Sequence, residues 1–348
     1  MAYTTINDPS IYFNTVLYTG NGKDDRAVIG TGFQPDWLWY KERSSTSEHR
    51  SFDSSRGASK RIEPNNDNQE ATDTTNHKSF DSDGFTVGTS GSTNAVGDTY
   101  VAWQWKCNGG TTSSDSNGSI TSTVQVNTDA GFSIVLYAGA GATRTVGHGL
   151  GTAPKWIVFK NRNKSAGEGW VVYHGANTSA PETDGLHLNL NNATNDTTDY
   201  FSDQAVTSTT FGVSGDDRSG GSFNYVAYCF AEKQGYSKFG SYTGNGNDDG
   251  SFVYTGFKPA WGLFKRTDAA ENWFLFDSTR DPENPNNDRL LPDLSNAESE
   301  SEEIDFLSNG FKMRTGSSAV NTDGGTYIYM AFAESPFVTS NKVPNNAR

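Results

Sequence analysis

Gly256-Phe257-Lys258-Pro259-Ala260-Trp261-Gly262-Leu263-Phe264-Lys265 decides the fold, because the chain writes it three times. The other copies are Gly32-Phe33-Gln34-Pro35-Asp36-Trp37-Leu38-Trp39-Tyr40-Lys41 and Gly151-Thr152-Ala153-Pro154-Lys155-Trp156-Ile157-Val158-Phe159-Lys160. In each, Trp follows Pro by two residues and Lys follows Trp by four. Upstream stands a second mark, Tyr18-Thr19-Gly20, Tyr137-Ala138-Gly139 or Tyr242-Thr243-Gly244, always 17 residues from Tyr to Pro. Fixed internal spacing is the signature of an array of one module.

Working outward from these marks gives the organisation. Residues 1–11 form a polar N-terminal arm, expected to dock on a neighbouring subunit. The first module spans 12–107, and residues 108–130, rich in Gly, Ser, Thr and Asn, read as a flexible linker with a short edge strand near Val124. The second module spans 131–232 and the third 233–334, with a polar tail at 335–348. Only a few residues join modules two and three, so they are expected to pack as a pair. Trp37-Leu38-Trp39-Tyr40 is apolar on both faces and reads as a central strand, with Pro35 placed before it, where its missing N–H does no harm. Tyr100-Val101-Ala102-Trp103-Gln104-Trp105 closes the module as an alternating strand, and Tyr225–Phe230 and Tyr327–Phe332 repeat it. The fold class is therefore all-β: three tandem β-sandwich repeats, jelly-roll or concanavalin-like.

Composition agrees. The 348 residues include 21 Phe, 15 Tyr, 8 Trp and 37 Gly, a balance of strands and turns. A net charge of -14 argues against a nucleic-acid partner, which needs a basic footprint. No run of about 18 apolar residues offers a membrane span, and no signal peptide is evident, which points to synthesis in a cytoplasm. Cys107 and Cys229 occupy different phases of the repeat and read as free thiols.

The chemistry-bearing residues are weighed against their structural reading. None of the five histidines recurs across the modules or shows metal-ligand spacing, so all read as surface or turn residues. Asp24-Asp25 and Asp248-Asp249 follow glycine turns, where oxygen ligands could hold calcium; a solvated turn is the simpler reading. Phe52-Asp53-Ser54-Ser55-Arg56 is copied by Phe276-Asp277-Ser278-Thr279-Arg280, and Pro285-Asn286-Asn287-Asp288 reads as the copy of Pro64-Asn65-Asn66-Asp67. Asp53/Arg56 and Asp277/Arg280 read as ion pairs of the frame or as parts of a ligand site. His174 stands at the same position in module two. The long polar excursions 53–68, 174–198 and 277–293 are the candidate ligand surface, with Asp53, Arg56, His174, Asp277 and Arg280 as its residues. Glu298–Glu303 reads as a solvated acidic loop. No nucleophile elbow, cofactor loop or metal motif stands out, so no enzyme, cofactor or metal is expected.

The strings Asp8-Pro9-Ser10-Ile11-Tyr12-Phe13, Val101-Ala102-Trp103-Gln104-Trp105-Lys106-Cys107-Asn108-Gly109-Gly110, Gly147–Lys155 and Phe239–Gly246 resemble the repeat-containing virion proteins of marine tailed bacteriophages, which carry a β-sandwich repeat. The resemblance covers almost the whole chain. It implies a non-enzymatic virion structural protein made in the host cytoplasm. The implied place is a tail fibre or tail-associated adhesin for host attachment, the alternative a capsid decoration protein. Implied partners are other virion proteins, further copies of the chain and a host-surface glycan or receptor. A likeness to concanavalin-type lectin domains offers a second alternative, a carbohydrate-binding module, with Trp170 and Trp273 as its candidate platforms.

Overall fold

A computed structural model describes residues 3–165, 167 and 169–345. The chain is all-β. Among the described residues the only helical pieces are one turn of α-helix at Gly91–Asn94 and two 3₁₀ turns, Pro9–Ile11 and Pro181–Thr183. Among the described residues no helix is long and apolar enough to cross a membrane.

Each stretch that carries the Pro–Trp mark becomes an interior strand of an antiparallel sheet. The order is opening strand, closing strand, Pro–Trp strand, fourth strand. In the first repeat these are Phe13–Thr19, Thr99–Trp105, Trp37–Glu42 and Arg50–Asp53. In the second they are Phe132–Ala138, Asn224–Phe230, Trp156–Asn161 and Val171–His174, and in the third Ser237–Thr243, Thr326–Pro336, Phe257–Arg266 and Trp273–Asp277. Register is shared too. Trp37 lies opposite Trp105, Trp156 opposite Phe230 and Trp261 opposite Phe332. A second, outer layer covers one face of each sheet, built around the hairpins His77–Asp81/Gly84–Val87 and Ser299–Leu307/Gly310–Met313 and the pair Arg144–Gly147/Thr210–Val213.

The two apolar faces of the Pro–Trp strand go to different cores. Leu38, Tyr40 and Ala102 face the first repeat's own outer layer with Phe85 and Val87. Trp37, Trp39, Trp103 and Trp105 face the other way, into one cluster that also takes Trp156, Phe230, Trp261 and Phe332. The tryptophans are buried as the sequence requires, but in a core common to the three sheets rather than inside each sandwich. Rings from different repeats stack there: Trp37 on Tyr228 at 4.3 Å between centroids, and Phe13 on Phe332 at 5.0 Å. The second and third repeats are therefore no separate pair; all three share the centre.

Two further expectations are corrected. Residues 108–130 are no flexible linker: Ser113–Asp115 and Ser122–Asn127 add two strands to the free edge of the second repeat's sheet. Alternation explains the strand, since Val124 turns into the second repeat's own core. The N-terminal arm is engaged within its own chain. The Tyr3 hydroxyl donates to the Gly256 carbonyl at 2.7 Å, Thr4 Oγ1 to the Gln234 carbonyl at 2.7 Å, and Ile6 enters the common core. The tail meets the arm, with the Ser340 N–H donating to Asn7 Oδ1 at 2.7 Å.

Candidate functional site: the seams between repeats

Each fourth strand ends in a turn that leans on the next repeat. In the first repeat, Asp53 accepts from the Arg56 guanidinium beside it and from the Arg56 backbone N–H at 2.8 Å. Across the seam, the Tyr228 hydroxyl of the second repeat donates to the same carboxylate at 2.7 Å. Arg56 reaches on to Glu70 at 3.0 Å, and Glu70 takes two bonds from Arg162 of the second repeat, at 2.8 and 2.9 Å.

The seam between the third and first repeats has the same plan. Asp277 takes Arg280 at 2.5 Å and, from the first repeat, the Trp103 indole N–H at 3.0 Å. Arg280 pairs with Glu298 at 2.6 Å, and Arg43 of the first repeat also donates to Glu298, at 2.6 and 2.9 Å. Glu298 is thus no solvated loop residue.

At the seam between the second and third repeats, uncharged residues replace this carboxylate–guanidinium set. His174 stands where Asp53 and Asp277 stand. Its Nε2 donates to the Tyr329 carbonyl at 3.0 Å, while Nδ1 accepts the Ala176 N–H at 3.1 Å. Asn177 replaces the arginine and Thr194 the glutamate, joined at 2.8 Å. Thr267 replaces the opposing arginine, and Met330 holds the place of Trp103 and Tyr228. The backbone bond beneath these side chains is kept throughout: Glu70 to Arg162, Thr194 to Thr267 and Glu298 to Arg43, each N–H to carbonyl at 2.9 Å.

A second ring of bonds runs the other way. Trp170 donates its indole N–H to the Glu63 carbonyl at 2.8 Å, and Trp273 to the His187 carbonyl at 2.8 Å. His49, at the equivalent place, faces the Leu291 carbonyl at 3.2 Å and takes the Trp39 N–H on Nδ1 at 2.8 Å. The backbone N–H of each is held by Asn65, Asn189 or Asp293, at 2.9, 2.9 and 3.1 Å. These bonds make Pro292-Asp293, not Pro285-Asn286, the counterpart of Pro64-Asn65. One kind of contact made three times in one rotational sense closes a ring, so the body has approximate three-fold symmetry.

The five residues offered as a ligand surface thus lie in these seams. Asp53, Arg56, His174, Asp277 and Arg280 are all buried, and the excursions that carry them bind neighbouring repeats. Trp170 and Trp273 are fully buried, so neither is a platform for a sugar. The histidines are not surface residues either: His49, His77, His148 and His174 are buried. Their neutral state explains how: burial lowers the His49 pKa well below its ordinary value and brings His174 down to about 4. Burial alone would also lower the Arg56 pKa, but attraction to Asp53, Tyr228 and Glu70 outweighs it and raises it.

The repeated lysine is a buried seam residue as well. Lys41, Lys160 and Lys265 each donate Nζ to the carbonyl of the following residue, at 2.6, 2.9 and 2.5 Å. Burial lowers Lys41 and Lys265 to about 8. Outside the seams, Asp24 and Asp25 pair with Lys78, and Asp249 with Lys312. Among the described residues no group of three or more His, Cys, Asp or Glu is placed to hold a metal ion. Sequence reasoning missed Glu70, Glu298, Arg43, Arg162, Trp103 and Tyr228 as seam partners. Their shared signal was substitution in step: the second–third seam lacks all the charged partners at once.

A family model described as a domain of unknown function, DUF7483, matches residues 8–336. Comparison with curated proteins and with solved structures finds no match.

Proposed function

The chain belongs to the DUF7483 family, and we propose that it is a non-enzymatic structural component of a bacteriophage virion, displayed on the particle. The observation that carries this reading is the closed ring. The charged and aromatic residues that the repeats share are spent on holding three sheets around one core, which makes a stiff building block. The phage assignment itself rests on the sequence resemblance.

The resemblance favours a tail-associated adhesin for host attachment. Adhesion would then use the outer layers and turn tips, because the long excursions are occupied in the seams. Decoration of the head is the second reading, and the three-fold body favours it: such a block matches the three-fold positions of an icosahedral shell. Mass spectrometry of purified particles of the encoding phage should find the protein in many copies, and gold-labelled antibody against the third repeat should mark the tail. Label spread over the head would move the assignment to decoration. Absence from particles would remove the virion reading.

A further inference from the structure

Between the third and first repeats lies a cavity of about 270 Å³, lined by Phe13, Thr15, Ala260, Ser278, Thr279 and Glu334 among others. The seam between the first and second repeats shows what its counterpart holds. Ser54 and Ser55 stand there for Ser278 and Thr279, Asp36 for Ala260, and Ile134 for Thr15. The Gln125 carboxamide fills that place, wholly buried. Its Nε2 donates to Ser54 Oγ at 2.9 Å and Ser55 Oγ at 2.7 Å, and its Oε1 accepts the N–H groups of Asn108 and Gly110, both at 2.9 Å. Gln125 arrives on the strand Ser122–Asn127, which pairs with the opening strand Phe132–Ala138 and sets Gln125 opposite Ile134.

The first repeat has the same opening strand without that neighbour. Among the described residues Phe13–Thr19 is an edge strand, paired only with Thr99–Trp105. The Lys106 N–H donates to the Tyr12 carbonyl, so by alternation Phe13, Thr15 and Leu17 turn their backbone groups away from the closing strand. The Thr15 N–H is taken by its neighbour's Asn14 Oδ1 at 2.8 Å. Thr15 Oγ1, on a residue only 8% exposed at the cavity wall, has no hydrogen-bond partner. A buried hydroxyl left unmade is costly, and orphans of this kind mark an absent partner.

We infer that this edge receives an extended strand from another protein, which pairs with Phe13–Thr19 and inserts a carboxamide side chain into the cavity. Strand addition supplies main-chain bonds and the pocket supplies side-chain choice. The volume falls just below the roughly 300–1,000 Å³ of small-molecule sites, which suits a single side chain. Ala260 is what opens the space, since the Asp36 carboxylate stands in its place at the filled seam. The guest amide meets the Ser278, Thr279 and Thr15 hydroxyls, with the Glu334 carboxylate, itself held by Lys258 and the Ser278 hydroxyl, at the rim.

The test uses the full chain and a fluorescein-labelled peptide with this chain's own sequence 120–128, the segment that fills the equivalent site. Saturable binding by anisotropy is expected, weakened about tenfold when the peptide's Gln is changed to Ala, as loss of its hydrogen bonds requires. Ala260→Phe, which fills the cavity, should abolish binding while leaving the unfolding midpoint within a few degrees. Hydrogen exchange of the unaltered protein should show new protection at Phe13 and Leu17, a readout that stands even if Ala260→Phe folds poorly. No binding at millimolar peptide, or protection elsewhere, overturns the proposal. Concentration-dependent dimerisation competed by the peptide overturns it too, because the occupant would then be a second copy.

Discussion

The Trp103 indole N–H of the first repeat donates to Asp277 Oδ2 of the third at 3.0 Å, and this bond joins the earliest and latest repeats of the chain. It is made on a carboxylate already paired with Arg280, and both side chains are fully buried. Removing one member of a buried pair strands the other. Asp277→Ala should therefore cost about 3–5 kcal/mol in urea unfolding. Exchanging the set for its uncharged counterparts at the second–third seam (Asp277→His, Arg280→Asn, Glu298→Thr and Arg43→Thr) should cost less than Asp277→Ala alone. A larger loss for the set would mean that the charges stabilise beyond their mutual compensation.

The common core ties the repeats into one folding unit. A fragment 12–107 would expose Trp37, Trp39, Trp103 and Trp105, which the whole chain covers with the other two sheets. Such a patch on an isolated domain leads to aggregation. The fragment is expected to be insoluble, and the full chain should melt in one transition with matching calorimetric and van't Hoff enthalpies. Three resolved transitions would refute the shared core. Trp261→Ala, a large truncation at that centre, should cost roughly 3–5 kcal/mol and lower the single transition as a whole.

The strands were legible because their signals are local. The Pro–Trp mark, the alternation of Val101, Trp103 and Trp105 and the glycine turns each follow from a few neighbouring residues. The seams were not legible, because they join residues far apart: Asp53 meets Tyr228 and Arg43 meets Glu298. Polarity also misled. The Asp53/Arg56 pair was legible as part of the frame, but its partners Tyr228 and Glu70 were not, and His174 looks like a solvent-facing loop residue until Tyr329 supplies a partner. The strand at Ser122–Asn127 showed in Val124, but its outer neighbour Ser113–Asp115 and the burial of Gln125 did not, since Gln125 is buried only because Ser54 and Ser55 meet it.

Asp293 predicts a stability that falls as pH rises. Asn65 and Asn189 do the same work uncharged at the other seams, whereas burial raises the Asp293 pKa to about 7. The unfolded value is near 3.9, so between about pH 4 and 7 the folded state holds the proton that the unfolded state has lost, and stability declines over that window before levelling off. Asp293→Asn keeps an oxygen for the Trp273 N–H and removes the penalty, though it also removes attraction to the buried Lys265. The variant should gain on the order of 2 kcal/mol at pH 8 and nothing near pH 4. An equal change at both pH values would show that ionisation of Asp293 is not the cause.

His174 predicts the opposite slope at acid pH. Its Nδ1 accepts the Ala176 N–H, so the ring must be neutral, and burial brings its pKa down to about 4. The unfolded value is near 6.5, so the unfolded state takes up the proton first as pH falls, and stability drains between about pH 6.5 and 4. The shift corresponds to a loss of up to about 3 kcal/mol across that window. His187, also lowered to about 4, adds a parallel slope, so the comparison must be with a variant rather than with neutral pH alone. His174→Gln can still donate to the Tyr329 carbonyl and carries no titrating proton. Urea unfolding at pH 7 and pH 4.5 should show the variant losing distinctly less stability on acidification than the unaltered chain. If the two lose the same amount, the second–third seam is not the acid-sensitive joint of the ring.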